Sequence, residues 1–278
     1  MGYEAKQKVT SVIIHIILIL CSITMLVPFV WMALTAFKTN TEATQIDPFL
    51  IFPTQWRMES FQVVIESLNF LLLYKNTLIL ILGRVIFAVL TATLAGYAFG
   101  RLNFKGKNIA FSIVLIQMMV PSQIFIIPQY AMVSKLGWTN TMIALIFPGF
   151  VTAFGTYLLK TGYQGLPKDL EEAAYLDGCN IFQTFLKVMM PLTRSSMVAL
   201  GIFTAVFAYK DLMWPLIVNT KESTLVLSAA LAKMQGAYTT NFPQLMAASL
   251  LACLPMIVLY LIFQKQFIEG IATSGGKL

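Results

Sequence analysis

The sequence predicts an all-α, polytopic membrane protein with six transmembrane helices. Apolar residues make up 58% of its 278 positions and charged residues 11%, against roughly 25% charged in soluble domains. Mean hydropathy is +0.78. The apolar residues gather in six runs, about 11–36, 72–99, 108–128, 141–160, 196–218 and 243–264, each near the ~20 residues a helix needs to cross a bilayer. Lipid rather than water therefore solvates most of the surface, and a single membrane domain over 1–278 is expected.

The first run is too long for a signal-peptide core and reads as a retained helix. Trp31, near its far end, suits the interfacial belt. His15 stands alone in this run, and a metal site needs several convergent donors, so no metal is expected. Cys21, Cys179 and Cys253 are scattered and form no CxxC, which indicates neither a disulfide framework nor a zinc site. The formal charge of +7 is spread thinly between apolar runs. It lacks the stripe that phosphate tracking requires, which argues against a nucleic-acid partner.

The basic residues instead set topology. The 101–107 loop carries Arg101, Lys105 and Lys107, whereas the much longer 37–71 segment carries only Lys38 and Arg57. Positive-inside counting puts 101–107 in the cytosol. Six spans then place both termini there, with Lys6 and Lys8 at one end and Lys265 and Lys277 at the other, together with loop 161–195. The expected location is the cytoplasmic membrane. Pro28, Gly83, Pro121, Pro128, Pro148, Gly201, Pro215 and Pro255 punctuate the spans. Proline removes a backbone bond and bends a helix, so these positions are either ordinary bundle irregularities or hinges around a central pathway.

Loop 161–195 predicts a short polar knuckle. Pro167 suits a first helical position, and Asp169, Glu171 and Glu172 follow in the first turns, where the helix dipole favours negative charge. Leu166, Leu170, Ala173 and Ala174 fall on one stripe. Gly178 supplies a left-handed stop. A second arm places Ile181, Phe182, Phe185, Leu186, Met189 and Met190 on one face until Pro191 breaks it. The paired alanines are expected to leave a smooth surface for a cleft to grip. A mere surface connector is the alternative.

The spaced set Glu172-Ala173-Ala174, Asp177-Gly178, Phe185 and Pro191-Leu192 resembles the EAA motif of importer-type ABC transporter permeases. Leu94 to Phe99 with Arg101, Met119-Val120-Pro121, Leu136-Gly137, Asn140-Thr141, Asp211 to Leu216 and the tail Gln264 to Phe267 with Gly270 are similar to the MalG-like carbohydrate permeases. Cys179 stands where a small alanine is usual. Tyr209-Lys210 stands where Trp-Asn is usual, which puts inherited sugar contacts there in question.

The resemblance implies a MetI-like permease fold whose knuckle is a cytosolic coupling helix. It also implies a second permease, with a heterodimer favoured, two ATP-binding subunits and an extracytoplasmic solute-binding protein. Function would be the import of sugars, especially oligosaccharides. Glycerol phosphate or a polyol remain as solutes, and an ion-coupled secondary transporter as the competing class. The chain has no GxxxxGK[ST] phosphate cradle, so ATP and Mg would be bound by a partner and not by this chain. It is not expected to be an enzyme. The residues expected to couple to the ATPase are Glu172, Ala173, Ala174, Asp177, Gly178, Phe185 and Pro191.

Pathway candidates are Arg84, Gln117, Gln123, Gln129, Tyr130, Tyr157, Tyr209 and Asp211, whose amides, hydroxyls and charges could meet a sugar. An intramembrane arginine costs at least ~2.5–3.5 kcal/mol. Arg84 should therefore face a path, pair with an acid on a sister subunit, or snorkel. The aromatic 37–71 loop (Phe49, Phe52, Trp56, Phe61, Phe70) either packs on its own bundle or receives the binding protein.

Overall fold

The structure, a computed structural model, describes residues 3–236 and 240–275; Lys277 lies outside them. In chain order the helices are α1 (Tyr3–Ala36), α2 (Asn40–Thr44), α3 (Glu59–Ser67), α4 (Phe70–Arg101), α5 (Lys107–Met119), α6 (Ile126–Lys135), α7 (Met142–Ile146), α8 (Ala153–Gln164) and α9 (Asp169–Leu176). There follow α10 (Ile181–Leu192), α11 (Arg194–Lys210), α12 (Met213–Val218), α13 (Leu227–Lys233) and α14 (Phe242–Gly275). No strand occurs among the described residues. Three stretches are long and apolar enough to cross a membrane alone: Thr10–Ala36, Phe70–Arg101 and Phe242–Lys265. Three bent helix pairs bring the number to six.

By its contacts the chain forms two compact units, Met1–Phe70 with Leu231–Met256, and Leu71–Ala230 with Ile257–Leu278. In the first unit, the side chains of α1 from Thr10 to Trp31 are exposed. Polar groups along it are satisfied locally, His15 Nδ1–H donating to the Ser11 carbonyl at 2.7 Å and the Ser22 hydroxyl to that of Leu18 at 2.8 Å. Pro28 does not end the helix. The aromatic segment after α1 packs on its own chain. Trp31 stacks on Phe49, and Phe37 meets Trp56 and Phe61 at 5.2 and 5.3 Å. Lys38 lies 4.4 Å over the Trp31 ring and donates to the Leu50 carbonyl. Thr39 and Glu42 close a capping box on α2. The Thr54 hydroxyl, followed by the Thr39 backbone, holds the Glu42 carboxyl below its ordinary range.

In the second unit α4 is the axis. Leu73, Asn76, Thr77, Leu80, Arg84, Ala88, Ala92, Gly96 and Tyr97 are buried along it, the spacing of a single helical face. Gly83 leaves α4 unbroken and instead admits Ile146, whose side chain a Cβ there would meet at 2.6–3.0 Å. Gly96 admits α8. A Cβ at Gly96 would lie 2.6 Å from that of Leu159 and 2.8 Å from the Lys160 nitrogen, a close backbone approach of the kind small residues permit between membrane helices. Gly96→Leu should therefore cost about 1–3 kcal/mol through overpacking. Thermal unfolding in detergent would show it as a lowered midpoint, and an unchanged midpoint would refute the close approach.

Three spans differ from the sequence expectation. The run 108–128 is interrupted: α5 ends at Met119, Val120 is extended, and the chain turns by 100° into the segment that carries α6. The residue before proline disfavours helix, and Val120 precedes Pro121. The run 196–218 is likewise not one helix. α11 ends at Lys210, Asp211 is extended at φ −66° and ψ 119°, and α12 resumes at Met213. Further bends of 45° and 72° separate α7 and its 3₁₀ extension from α8, and α10 from α11. Pro128 and Pro215 fall in the first turns of their helices, where their missing N–H groups have no intrahelical partner to lose, and Pro148 sits in the 3₁₀ extension that ends the α7 segment.

Candidate functional site

Two features stand out in the second unit: a polar-lined cavity at the helix breaks and the knuckle at the far end of α4.

The cavity, about 590 Å³, is bordered by α4, α5, the 122–129 stretch and the α11–α12 break. Arg84, Gln117, Gln123, Gln129 and Asp211 all line it, together with Lys210 and Trp214. A smaller cavity of about 250 Å³ shares Arg84 and Gln117. Of the pathway candidates, Tyr130 and Tyr157 are exposed and Tyr209 half-buried, and none lines either cavity.

The partner of Arg84 lies in its own chain. Its Nη1 stands 2.8 Å from Asp211 Oδ2. Nε and Nη2 both donate to the Leu145 carbonyl, at 2.9 and 2.7 Å. The guanidinium thus ties α4 to α7 and to the α11–α12 break. Burial without a partner would be far costlier than this arrangement. The break is fastened from other sides as well. Asp211 accepts through its carbonyl from the Ser228 hydroxyl at 2.7 Å, and Trp214 Nε1–H donates to the Ala144 carbonyl at 2.9 Å. Asn140, at φ 60°, accepts from the backbone N–H groups of Thr220 and Lys221. An extended Asp211 turns its carboxylate toward α4, and the residues after it return along α7.

The knuckle is helix, glycine bend, helix. Gly178 has φ +81°, and Cys179 N–H reaches back to the Ala174 carbonyl at 2.9 Å, the hydrogen bond of a left-handed C-terminal motif. Asn180 and Gln183 then form a reciprocal capping box that starts α10. α10 is not uniform: Phe185–Met189 is a π turn, and helical structure continues past Pro191 to Leu192. Pro191 therefore lies one residue before the end of the arm, where the chain bends by 72° into α11. It sits in the first turn after the π segment, where its missing N–H is tolerated. Pro167 lies just before the cap of α9 rather than at its first position.

The faces also differ from expectation. Ala174, Phe185 and Met189 are buried, in a cluster with Tyr97, Leu159, Tyr163 and Leu200 for the last two. Ala173 is exposed, so the alanines are not a paired surface; Ala174 is what the helix rests on. Ile181, Phe182 and Leu186 face outward, because α10 packs through the face of Thr184, Phe185, Val188 and Met189. Glu172, Asp177, Gly178 and Pro191 are exposed. Leu176, at the tip, is 90% exposed and Phe182 63%. Ile181 and Tyr175 are exposed with them on either side of the Gly178 bend, and exposed apolar side chains grouped in this way mark an interaction site.

Sequence reasoning missed two parts of this region. Leu176 was passed over because it lies between the motif positions. Arg101, counted as a topology charge, has a buried side chain at the end of α4 and pairs with Glu171 at 2.7 Å. An acid of the first turn on the inward side, opposite the exposed Glu172, was the available signal.

A multi-pass membrane protein with a polar cavity at broken helices fits the class of membrane transport components. Residues 92–272 match the family described as "Binding-protein-dependent transport system inner membrane component", and the chain belongs to that family. It is 30% identical over 252 residues to the arabinooligosaccharides transport system permease protein AraQ of Halalkalibacterium halodurans, covering 90% of each chain. It is 27% identical over 269 residues to the diacetylchitobiose uptake system permease protein NgcG of Streptomyces coelicolor, covering 95% of this chain and 88% of that protein. Among solved structures, it is similar to a chain of a bacterial ABC transporter involved in the import of the acidic polysaccharide alginate. The TM-score is 0.79 at 18% identity, over 96% of this chain and 99% of that one. The expected permease fold and membership of an importer family are thereby borne out.

Proposed function

We propose that this chain is one permease half of an ATP-driven, binding-protein-dependent importer of carbohydrates, oligosaccharides foremost. The observation that carries this reading is the knuckle, where Leu176, Phe182 and Ile181 project from a base fixed by Phe185 and Met189. A surface of this kind is suited to a cleft in a soluble partner. The chain has no GxxxxGK[ST] cradle, so ATP and Mg belong to that partner, with a second permease completing the pathway and an extracytoplasmic binding protein delivering the solute. The knuckle and both termini face the cytosol.

Support for a carbohydrate comes from the names of the relatives and from the cavity, where Gln117, Gln123 and Gln129 offer carboxamides that both donate and accept hydrogen bonds, the pairing a sugar hydroxyl needs. Arg84 and Asp211 are engaged with each other and brace the wall.

The test is purification of the complex through this chain from its native membranes in mild detergent, with mass spectrometry of the companions. Recovery of a P-loop ATPase and a second permease is expected. Leu176→Glu should cut ATPase recovery at least tenfold while the second permease stays, since a charge would be buried in an apolar cleft. The chain recovered alone, or an ATPase retained by Leu176→Glu, would refute docking at this surface.

A further inference from the structure

We propose that the Arg101–Glu171 pair is a positioning element that locks the knuckle to α4 in one orientation, making α4 the lever that carries knuckle movement to the cavity wall. This rests on the docking role proposed above.

The guanidinium of Arg101 is shared between the first turn of α9 and the turn that precedes it. Nε and Nη2 reach Glu171 Oε2 at 2.8 and 2.7 Å, in the first turn of α9. Nη1 donates to the Leu166 carbonyl at 3.1 Å and Nη2 to that of Pro167 at 3.4 Å, in the turn between α8 and α9. The Arg101 side chain is 6% exposed and that of Glu171 14%. One helical turn earlier, Tyr97 meets Phe185 of the second arm at 5.0 Å and Tyr163 of α8 at 5.4 Å. Positions 97 and 101 share one face of α4. Both arms of the knuckle are therefore held by one strip of one helix, the first through charge and the second through rings.

The two grips differ in kind. Ring contacts constrain orientation less sharply than charge-assisted hydrogen bonds and leave a short helix more freedom to roll. A planar guanidinium with its donors spread over a carboxylate and two carbonyls fixes an angle as well as a distance. A buried ion pair adds little net stability over apolar replacements, and its best-attested use is to specify one arrangement. α4 then runs without interruption to Arg84, 17 residues back (101 − 84), or about 25 Å at 1.5 Å per residue. Arg84 braces the cavity wall through Asp211 and Leu145. A rotation of the knuckle would reach the cavity as a rigid-body movement of this one rod.

The experiment reads cavity exposure directly and needs no knowledge of the solute. In the complete complex, reconstituted in liposomes with Cys21, Cys179 and Cys253 replaced by serine, Val120→Cys places a thiol on the cavity lining. Its maleimide labelling rate is measured with and without MgATP and vanadate, alongside ATPase recovery and hydrolysis. The parent complex should change its rate at least fivefold on nucleotide. Glu171→Gln, and separately the apolar double variant Arg101→Met with Glu171→Leu, should keep the ATPase and its hydrolysis but reduce that response below twofold. A full response in either variant would overturn the proposal. So would loss of the response together with loss of the ATPase, which would make the pair a docking element. If the parent itself carries no ATPase or shows no response, the failure lies with the docking reading.

Discussion

Gly178→Pro is expected to abolish ATP-driven carbohydrate uptake, by a hundredfold or more, while the chain still inserts and accumulates in the membrane. Gly178 holds φ +81° and donates its N–H to the Tyr175 carbonyl at 3.0 Å. Proline fixes φ near −65° and has no N–H to give, so the two arms cannot meet at their present angle, and Leu176 and Phe182 lose their placement on either side of the bend. Gly178→Ala is the graded control. Nothing lies within 4 Å of a Cβ there, so its cost is backbone strain alone, about 1–2 kcal/mol, and uptake should fall only partly. Uptake in membrane vesicles, normalised to immunodetected protein, decides the matter. Normal uptake by the proline variant would end the assignment of the bend to coupling.

The second large effect is at the cavity. Asp211→Ala removes the carboxylate of Arg84 and leaves a buried guanidinium whose remaining partner is the Leu145 carbonyl. Breaking a buried pair from one side costs about 3–5 kcal/mol. The Asp211 side chain keeps 22% exposure, which places the expectation near 3 kcal/mol at the lower end of that range. A clear fall in the unfolding midpoint in detergent and loss of uptake should follow. Arg84→Met combined with Asp211→Leu should restore much of the midpoint, because the uncompensated charge is gone. An Asp211→Ala midpoint equal to that of the parent would show that the pair does not brace the fold.

Much of the architecture was legible in the sequence because hydropathy and glycine chemistry are local. α1, α4 and α14 follow from apolar length, and the bend at Gly178 follows from a helical stripe that stops at a glycine. The break at 120–121 was signalled by Pro121, but that at 211–212 was not legible. Hydropathy continues through them, and what stabilises the second is a set of distant partners: Arg84, Ala144 and Ser228. Arg84 was recognised as needing a partner, but the acid lies 127 positions away (211 − 84) and only folding brings it near. The same limit hid the role of Arg101, since Glu171 is 70 positions on. Within the knuckle, periodicity placed Ala173 with Ala174 and Phe182 with Phe185. The buried rings of Tyr97 and Tyr163 settle that Phe185 rather than Phe182 turns inward. The tyrosines at 130, 157 and 209 were chosen for chemistry alone, and chemistry without position did not bring them to the cavity.

The adjacent Glu171 and Glu172 point to a final consequence. One is drawn in to Arg101 and the other faces outward, a division set by the ~100° that successive helical residues turn through. α9 is eight residues long. One alanine inserted between Glu172 and Leu176 would leave the inner anchor in place and swing the tip about a quarter-turn away. The element should thus accept changes of side chain at its outer positions more readily than any change of length, and its residue count serves as a gauge that sets where the tip points.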